Sequence, residues 1–282
     1  MWYVYMLMHL VGLVGYSLLL RKSLVAKADR FTQATLMQTG VAIPILVAAI
    51  FFRPDLSTLT YSHWLLVAVI TVLVVSLNWA NVMAVARLEA GTYSILFNTR
   101  LLIVTVLGFF ILGERVLPLQ ILGGIFIFLA AFVIRQRGAK HATRVGIAWG
   151  LAAAVIISIL NVFEKKLILQ VGFLKEMFAV SLLAAPLMWA ILLSRGGRVP
   201  FAYFRRAETW VFMTLRAISA YGFLLAFSVG LLSVTNYISG LSVVIIMILG
   251  ALWLGERDHP REKIQATILA VAGLTAIFIA EL

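Results

Sequence analysis

Leu112-Gly113-Glu114-Arg115 and Leu254-Gly255-Glu256-Arg257 are two copies of one string, 142 residues apart in a chain of 282. Pro118 and Pro260, just after each copy, keep the same offset, and so do Pro44 and Pro186 far upstream. Pro54 and Pro200 pair at 146, so all six prolines fall into matched pairs. The chain reads as a duplicated module, with one copy over residues 1–140 and the other over 141–282.

Each copy holds five apolar runs of about 20 residues, long enough to cross the ~30 Å hydrocarbon layer of a bilayer as helix. Their limits are 2–20, 32–52, 63–86, 92–112, 117–134, 145–163, 177–194, 209–229, 234–254 and 262–280. Five is odd, so the second copy enters the membrane upside down relative to the first. The expected fold is an all-α membrane protein of ten transmembrane helices, arranged as two inverted five-helix repeats. Barrel strands would be about half as long and would alternate, which these runs do not.

Composition agrees. The chain is 63% hydrophobic and 12% charged, with a mean hydropathy of +1.07. A soluble domain of this length needs far more polar surface. The net charge of +12 does not point to nucleic acid, because excess Lys and Arg in a membrane protein mark cytoplasmic loops and anionic headgroups. The partners expected are the lipid bilayer and a small-molecule substrate, and no nucleic acid. The segment from Trp2 to Leu20 lacks a basic leader and ends at Arg21-Lys22, so it reads as the first span rather than a cleaved signal. Loops after odd-numbered spans carry 16 Lys and Arg, counting Lys263 at the very start of the tenth span, and those after even-numbered spans carry 5. Positive-inside reasoning places both termini outside the cytoplasm.

Two stretches resemble the signature segments of the drug/metabolite transporter superfamily, specifically the EamA-type repeat. One runs from Ala84 through "AVARLEAGTYSILFNTRLLIVTVLGFFILGERVLPLQILGGIFIFLAAFVI". The other is "AFSVGLLSVTNYISGLSVVIIMILGALWLGERDHPREKIQATILAVAGLTAIFI". Spans 3–5 and 8–10 carry the likeness, while spans 1–2 and 6–7 match in layout alone. The resemblance implies a bacterial inner-membrane protein with a central cavity lined mainly by spans 1, 3, 4, 6, 8 and 9. It also implies termini in the cytoplasm, against the charge count.

The polar side chains singled out as cavity candidates fall on those six. They are His9 in span one, Asn78, Trp79 and Asn81 in span three, and Asn98 and Arg100 in span four. Asn161 lies in span six, Arg216 and Tyr221 in span eight, and Asn236, Tyr237 and Ser239 in span nine. These twelve are the candidate cavity residues. Singly, each Asn or Ser also serves as an interhelical hydrogen bond worth about 0.6–2 kcal/mol. The two arginines, each roughly 10 Å into its span at 1.5 Å per residue, cost on the order of 2–3 kcal/mol there unless they snorkel, pair or face water. A cationic cavity wall for a carboxylate or phosphate and a snorkelling anchor are both open to them.

No acidic residue is expected within a span interior, with Glu164 and Glu281 left open as exceptions to a loop position; Glu164, beside Lys165 and Lys166, reads as an interfacial ion pair. His9 is the one intramembrane histidine, since His63, His141 and His259 sit at ends or loops, so the sequence offers no convincing coupling site. Pro44 and Pro186 are hinge candidates, matched proline kinks that serve either as bending points or as static shapes. Gly12, Gly15, Gly108, Gly123 and Gly124 allow close helix approach. The Leu-Gly-Glu-Arg strings read as tight turns between paired spans.

The function expected is secondary transport of small organic metabolites, with export of amino acids or related carboxylates by alternating access. An organic-cation exporter of the same superfamily is the alternative, disfavoured for want of a membrane-embedded carboxylate. A membrane enzyme would need a nucleophile with its base, or a metal cluster. Three Asp in loops and no Cys argue against both, and no cofactor or metal is expected. A nucleotide-driven pump would need a phosphate-cradling Gly-Lys-Ser/Thr loop, which is absent from the sequence. A monomer suffices for such an arrangement.

Overall fold

The computed structural model describes residues 1–113, 117–137, 144–256 and 260–280, and every regular element among them is helical. Helices α1 (Trp2–Val25), α2 (Arg30–Phe52) and α3 (Tyr61–Val85) open the chain. The fourth span is not one helix. It is α4 (Ala90–Phe97), α5 (Arg100–Leu107) and a wider π-helical turn at Gly108–Leu112. Next come α6 (Pro118–Arg137), α7 (Arg144–Val171), α8 (Phe173–Ser194), the single turn α9 (Phe201–Phe204) and α10 (Ala207–Val229). The ninth span is broken in turn, into α11 (Leu232–Gly240) and α12 (Ser242–Trp253), before α13 (Pro260–Ala280).

Among the described residues, eight helical segments are long and apolar enough to cross a membrane. The expected fifth and tenth spans appear as shorter apolar helical stretches at 118–127 and 264–276. Large apolar side chains such as Leu7, Ile50, Phe110, Leu252 and Ile268 are exposed, as a lipid-facing surface requires.

Local sequence sets the helix limits. Asp29 caps α2 by accepting from the Thr32 N–H at 2.7 Å. Gly113 and Gly255, in the two repeated strings, both take φ of +68°, the left-handed geometry that ends a helix and favours glycine. Gly172, at φ +85°, is all that separates α7 from α8.

That last junction corrects the sequence reading. The stretch 164–176 was expected to be loop, yet α7 continues to Val171 and α8 begins at Phe173. Glu, Lys and Leu are good helix formers, so the Glu164-Lys165-Lys166 run extends the helix instead of ending it.

The chain forms two compact units, each combining helices from both sequence halves. Residues 1–82 and 163–230 make the first, and 83–162 with 231–282 the second. In the first unit α1 packs on α10, and α2 on α8 and α10. Gly12 and Gly222 make the α1–α10 contact possible. A Cβ on Gly12 would lie 2.5 Å from the Ser219 nitrogen, and one on Gly222 would lie 2.6 Å from the Tyr5 carbonyl oxygen. In the second unit α6 packs on α13, α4 on α12 and α5 on α11. A Cβ on Gly273 of α13 would meet the Gly123 carbonyl of α6 at 2.5 Å.

Candidate functional site

The twelve candidate residues divide evenly between the units. Asn98, Arg100, Asn161, Asn236, Tyr237 and Ser239 lie in the second unit, around the two helix breaks. Asn98 ends α4, and its amide donates to the Gly240 carbonyl at 3.1 Å, at the break of the ninth span. Arg100 is 3% exposed, donates to the Ser239 hydroxyl at 2.6 Å, and sets its guanidinium 4.7 Å from the Phe97 ring centroid. The Ser158 hydroxyl approaches the Arg100 carbonyl at 3.3 Å. Asn161 donates to the Asn236 side chain at 2.9 Å, and Asn236 donates to the Leu232 carbonyl at 2.9 Å. The Tyr237 and Thr105 hydroxyls share a hydrogen bond of 2.6 Å. This is a packed network, and its members bind α5, α7 and α11 to one another.

Backbone at a helix break has carbonyls and N–H groups without helical partners, which hydrocarbon cannot solvate. Side-chain amides and hydroxyls at Asn98, Thr99 and Ser242 answer that need. Thr99 donates to the Leu96 carbonyl and Ser242 to the Ser239 carbonyl.

The first unit holds the other six. His9 Nδ1 lies 2.9 Å from the Ser219 carbonyl, so that nitrogen carries the proton, and its ring rests 4.6 Å from the Phe223 ring. Asn78 donates to Gln38 at 2.9 Å, while its own carbonyl oxygen is buried without a hydrogen bond. Asn81 is buried, and Trp79 stacks on Phe31 at 4.1 Å. Tyr221 meets the hinge candidate Pro44. Its hydroxyl accepts from the Ile45 N–H at 3.1 Å and donates to the Val41 carbonyl, which is the i→i−4 pair spanning the proline step. A side chain inserted in the helical ladder is a recognised cause of a kink. A cavity of about 220 Å³ lies beside it, lined by Gly40, Pro44, Met213 and Tyr221 among others. Pro186 is exposed on α8.

Arg216 differs from Arg100. It is half-buried on α10, its guanidinium sits 5.3 Å from the Tyr16 ring centroid, and its Nε is buried without a hydrogen bond.

The structure also brings in residues that the sequence reading left in a loop. Glu164, Lys165 and Glu176 are all buried in the first unit, at 7, 9 and 1% exposure. The expectation that no acidic side chain enters the helical interior is therefore overturned. Lys165 does not form the expected surface ion pair. Its ammonium donates to the Gly230 carbonyl at 2.7 Å and to the Phe227 carbonyl, at the negative end of the α10 dipole. Glu164 is within electrostatic reach of Arg216, and Glu176 of Glu164. Both oxygens of Glu176 are buried without a hydrogen bond. The extension of α7 past residue 163 was the missed signal.

In the second repeated string, Glu256 does more than turn the chain. Its carboxylate accepts from the Ala90 N–H at 2.8 Å and so caps the start of α4. Glu114, Arg115, His141, Arg257, His259 and Glu281 lie outside the described residues.

Long apolar helices, broken spans and charged side chains buried among them define an integral, multi-pass helical membrane protein. Residues 1–136 match the EamA-like transporter family, a family of membrane transporters within the drug/metabolite transporter superfamily, in agreement with the resemblance of the first of the two stretches. A protein of known crystal structure shares the fold with a TM-score of 0.71 at 14% identity, over 97% of this chain and 96% of that one. No curated protein matches the chain in sequence.

Proposed function

We propose that this protein is a secondary active transporter that exports amino acids or related carboxylates across a bacterial inner membrane by alternating access. The observation that carries the reading is Arg216. Its guanidinium lies midway along an apolar helix, with an aromatic ring beneath it and no hydrogen-bonded acceptor among the described residues. A desolvated guanidinium binds a carboxylate in bidentate fashion, with a strength that water would otherwise screen. Arg100, already engaged with Ser239 and Phe97, is the second cation of the reading.

Ten spans in two inverted halves, working as a monomer, complete the proposal. The helix breaks at Asn98-Thr99 and at Leu241 support it, because discontinuous helices are where transporters of inverted-repeat design place their moving and binding elements.

A second reading, export of organic cations, gains support from Glu164 and Glu176. The buried carboxylates that its absence argument lacked are present. The two readings separate in proteoliposomes, with counterflow of a panel of labelled amino acids, phosphorylated metabolites and organic cations. Saturable exchange of amino acids supports the first reading, and exchange of cations alone replaces it with the second.

A further inference from the structure

We propose that the cavity between the end of α1 and the starts of α2 and α10 binds a phosphate group, carried by the headgroup of an anionic phospholipid or by a free phosphate ester.

The three helix ends meet at one edge of the first unit. α1 packs along α10, and Lys22 in the last turn of α1 donates to the Glu208 carboxylate, in the first turn of α10, at 3.0 Å. Four residues then link α1 to α2, so α2 starts at the same edge. The cavity they enclose holds about 300 Å³. That is the low end of the ~300–1,000 Å³ usual for small-molecule pockets, so it takes a headgroup and leaves acyl chains outside.

Its wall carries Lys22, Lys27 and Arg206 against Asp29 and Glu208. Both acids are engaged, Asp29 with the Thr32 N–H at 2.7 Å and Glu208 with Lys22. The side chains of Lys27 and Arg206 stand exposed at the rim and make no hydrogen bond or ion pair among the described residues. The first turns of α2 and α10 add N–H groups and the positive ends of two 23-residue helices. The last carbonyls of α1 do not oppose them, because the N–H groups of Ala26, Lys27 and Ala28 bond to Lys22, Leu24 and Ser23 there.

Two buried polar groups mark the interior of the cavity as a binding surface. Gln33 of α2 and Thr209 of α10 line it at 4 and 7% exposure, and neither side chain has a hydrogen-bond partner among the described residues. An amide and a hydroxyl inside, with two open cations at the rim, supply donors from several directions. A phosphate, with oxygens on every side, uses such a set more fully than a planar carboxylate does.

The location fits a lipid phosphate. Segments 21–30 and 195–208 together carry eight Lys and Arg and two acids. Phe201 and Trp210 are exposed beside them. Tryptophan settles at headgroup level, and a basic face there attracts anionic lipid. Arg216 lies ten residues beyond Arg206 on α10, about 15 Å along the helix. The site is therefore separate from the proposed carboxylate handle and does not depend on it.

The test follows the melting temperature of the purified protein in neutral detergent. One arm adds phosphatidylglycerol, with phosphatidylcholine as its control. The other adds glycerol 1-phosphate, with chloride at matched ionic strength as its control. Wild type should melt higher with a phosphate-bearing anion than with the matching control. A response to phosphatidylglycerol alone assigns the lipid headgroup, and a response to glycerol 1-phosphate assigns the free ester. The double change Lys27→Gln with Arg206→Gln should raise the half-effective concentration by about tenfold or more. Gln33→Leu, which keeps the volume and removes the amide, should raise it as well. Arg198→Gln with Arg205→Gln makes the same charge change outside the cavity wall and should leave the wild-type value. All four of these cations are exposed, so the double variants keep the fold. No shift with either phosphate compound, an unchanged value in Lys27→Gln with Arg206→Gln, or equal losses in the two double variants overturns the proposal.

Discussion

Asn98 and Gly240 are 142 residues apart, the spacing of the repeated strings, and the amide of the first donates to the carbonyl of the second at 3.1 Å. The two residues occupy matching places relative to the repeated strings, and the contact falls where both helices break. Replacing Asn98 with Ala leaves the Gly240 carbonyl buried and unpaired. The loss should be about 1–3 kcal/mol, read as a lower melting temperature in detergent, with Asn98→Asp at least as damaging.

The α1–α10 contact depends on glycine backbone, and the two sides differ in kind. Gly222→Ala sets a Cβ against main-chain atoms of Tyr5 and His9 at 2.6 and 2.7 Å, which cannot rotate away. Gly15→Ala meets the end of the Leu215 side chain at 2.8 Å, which can. Gly222→Ala should therefore cost about 1–3 kcal/mol or more, as overpacking does, while Gly15→Ala should cost less. Melting curves of the two variants side by side decide it.

Tyr221 and Pro44 act as a pair. The hydroxyl serves the Ile45 N–H and Val41 carbonyl because the proline has disturbed the ladder between them. Tyr221→Phe should cost about 1–2 kcal/mol. In a Pro44→Ala background, where the helix can close its own ladder, the same change should cost less. A double-mutant cycle measures the difference, and additive effects would contradict the pairing.

Glu256 caps α4 through Ala90. Glu256→Ala should lower stability by about 0.5–2 kcal/mol, the usual worth of a cap, and Glu256→Gln, which still accepts, should recover part of it. Thermal denaturation of the reconstituted protein supplies the comparison.

Much of this was legible in the chain itself. The apolar runs marked the eight segments long enough to cross a membrane, and the segment around Arg100 pointed to the family matched over residues 1–136. Hydropathy could not show the breaks at Asn98-Thr99 and Leu241, because a window of span length averages the few polar residues at each break with long apolar stretches on either side. Nor could it place Glu164 and Glu176. A window that counts charges ends a span at Glu-Lys-Lys, whereas the folded chain buries the carboxylates and hands Lys165 to the carbonyls of another helix. Which arginine stands open was equally invisible, since Arg100 and Arg216 sit at similar depths and differ in partners supplied by distant helices.

Arg216 is the proposed handle for a carboxylate. The direct measurement is counterflow of labelled amino acids in proteoliposomes containing wild type, Arg216→Gln or Arg216→Lys, each confirmed to be folded by its melting curve. Loss of a charge-assisted hydrogen bond worth about 1.5–3 kcal/mol should raise the half-saturating concentration by tenfold or more in Arg216→Gln. Arg216→Lys, which keeps the charge without the bidentate geometry, should fall between them. Counterflow with an unchanged half-saturating concentration in folded Arg216→Gln would contradict the account and leave this arginine as a membrane anchor.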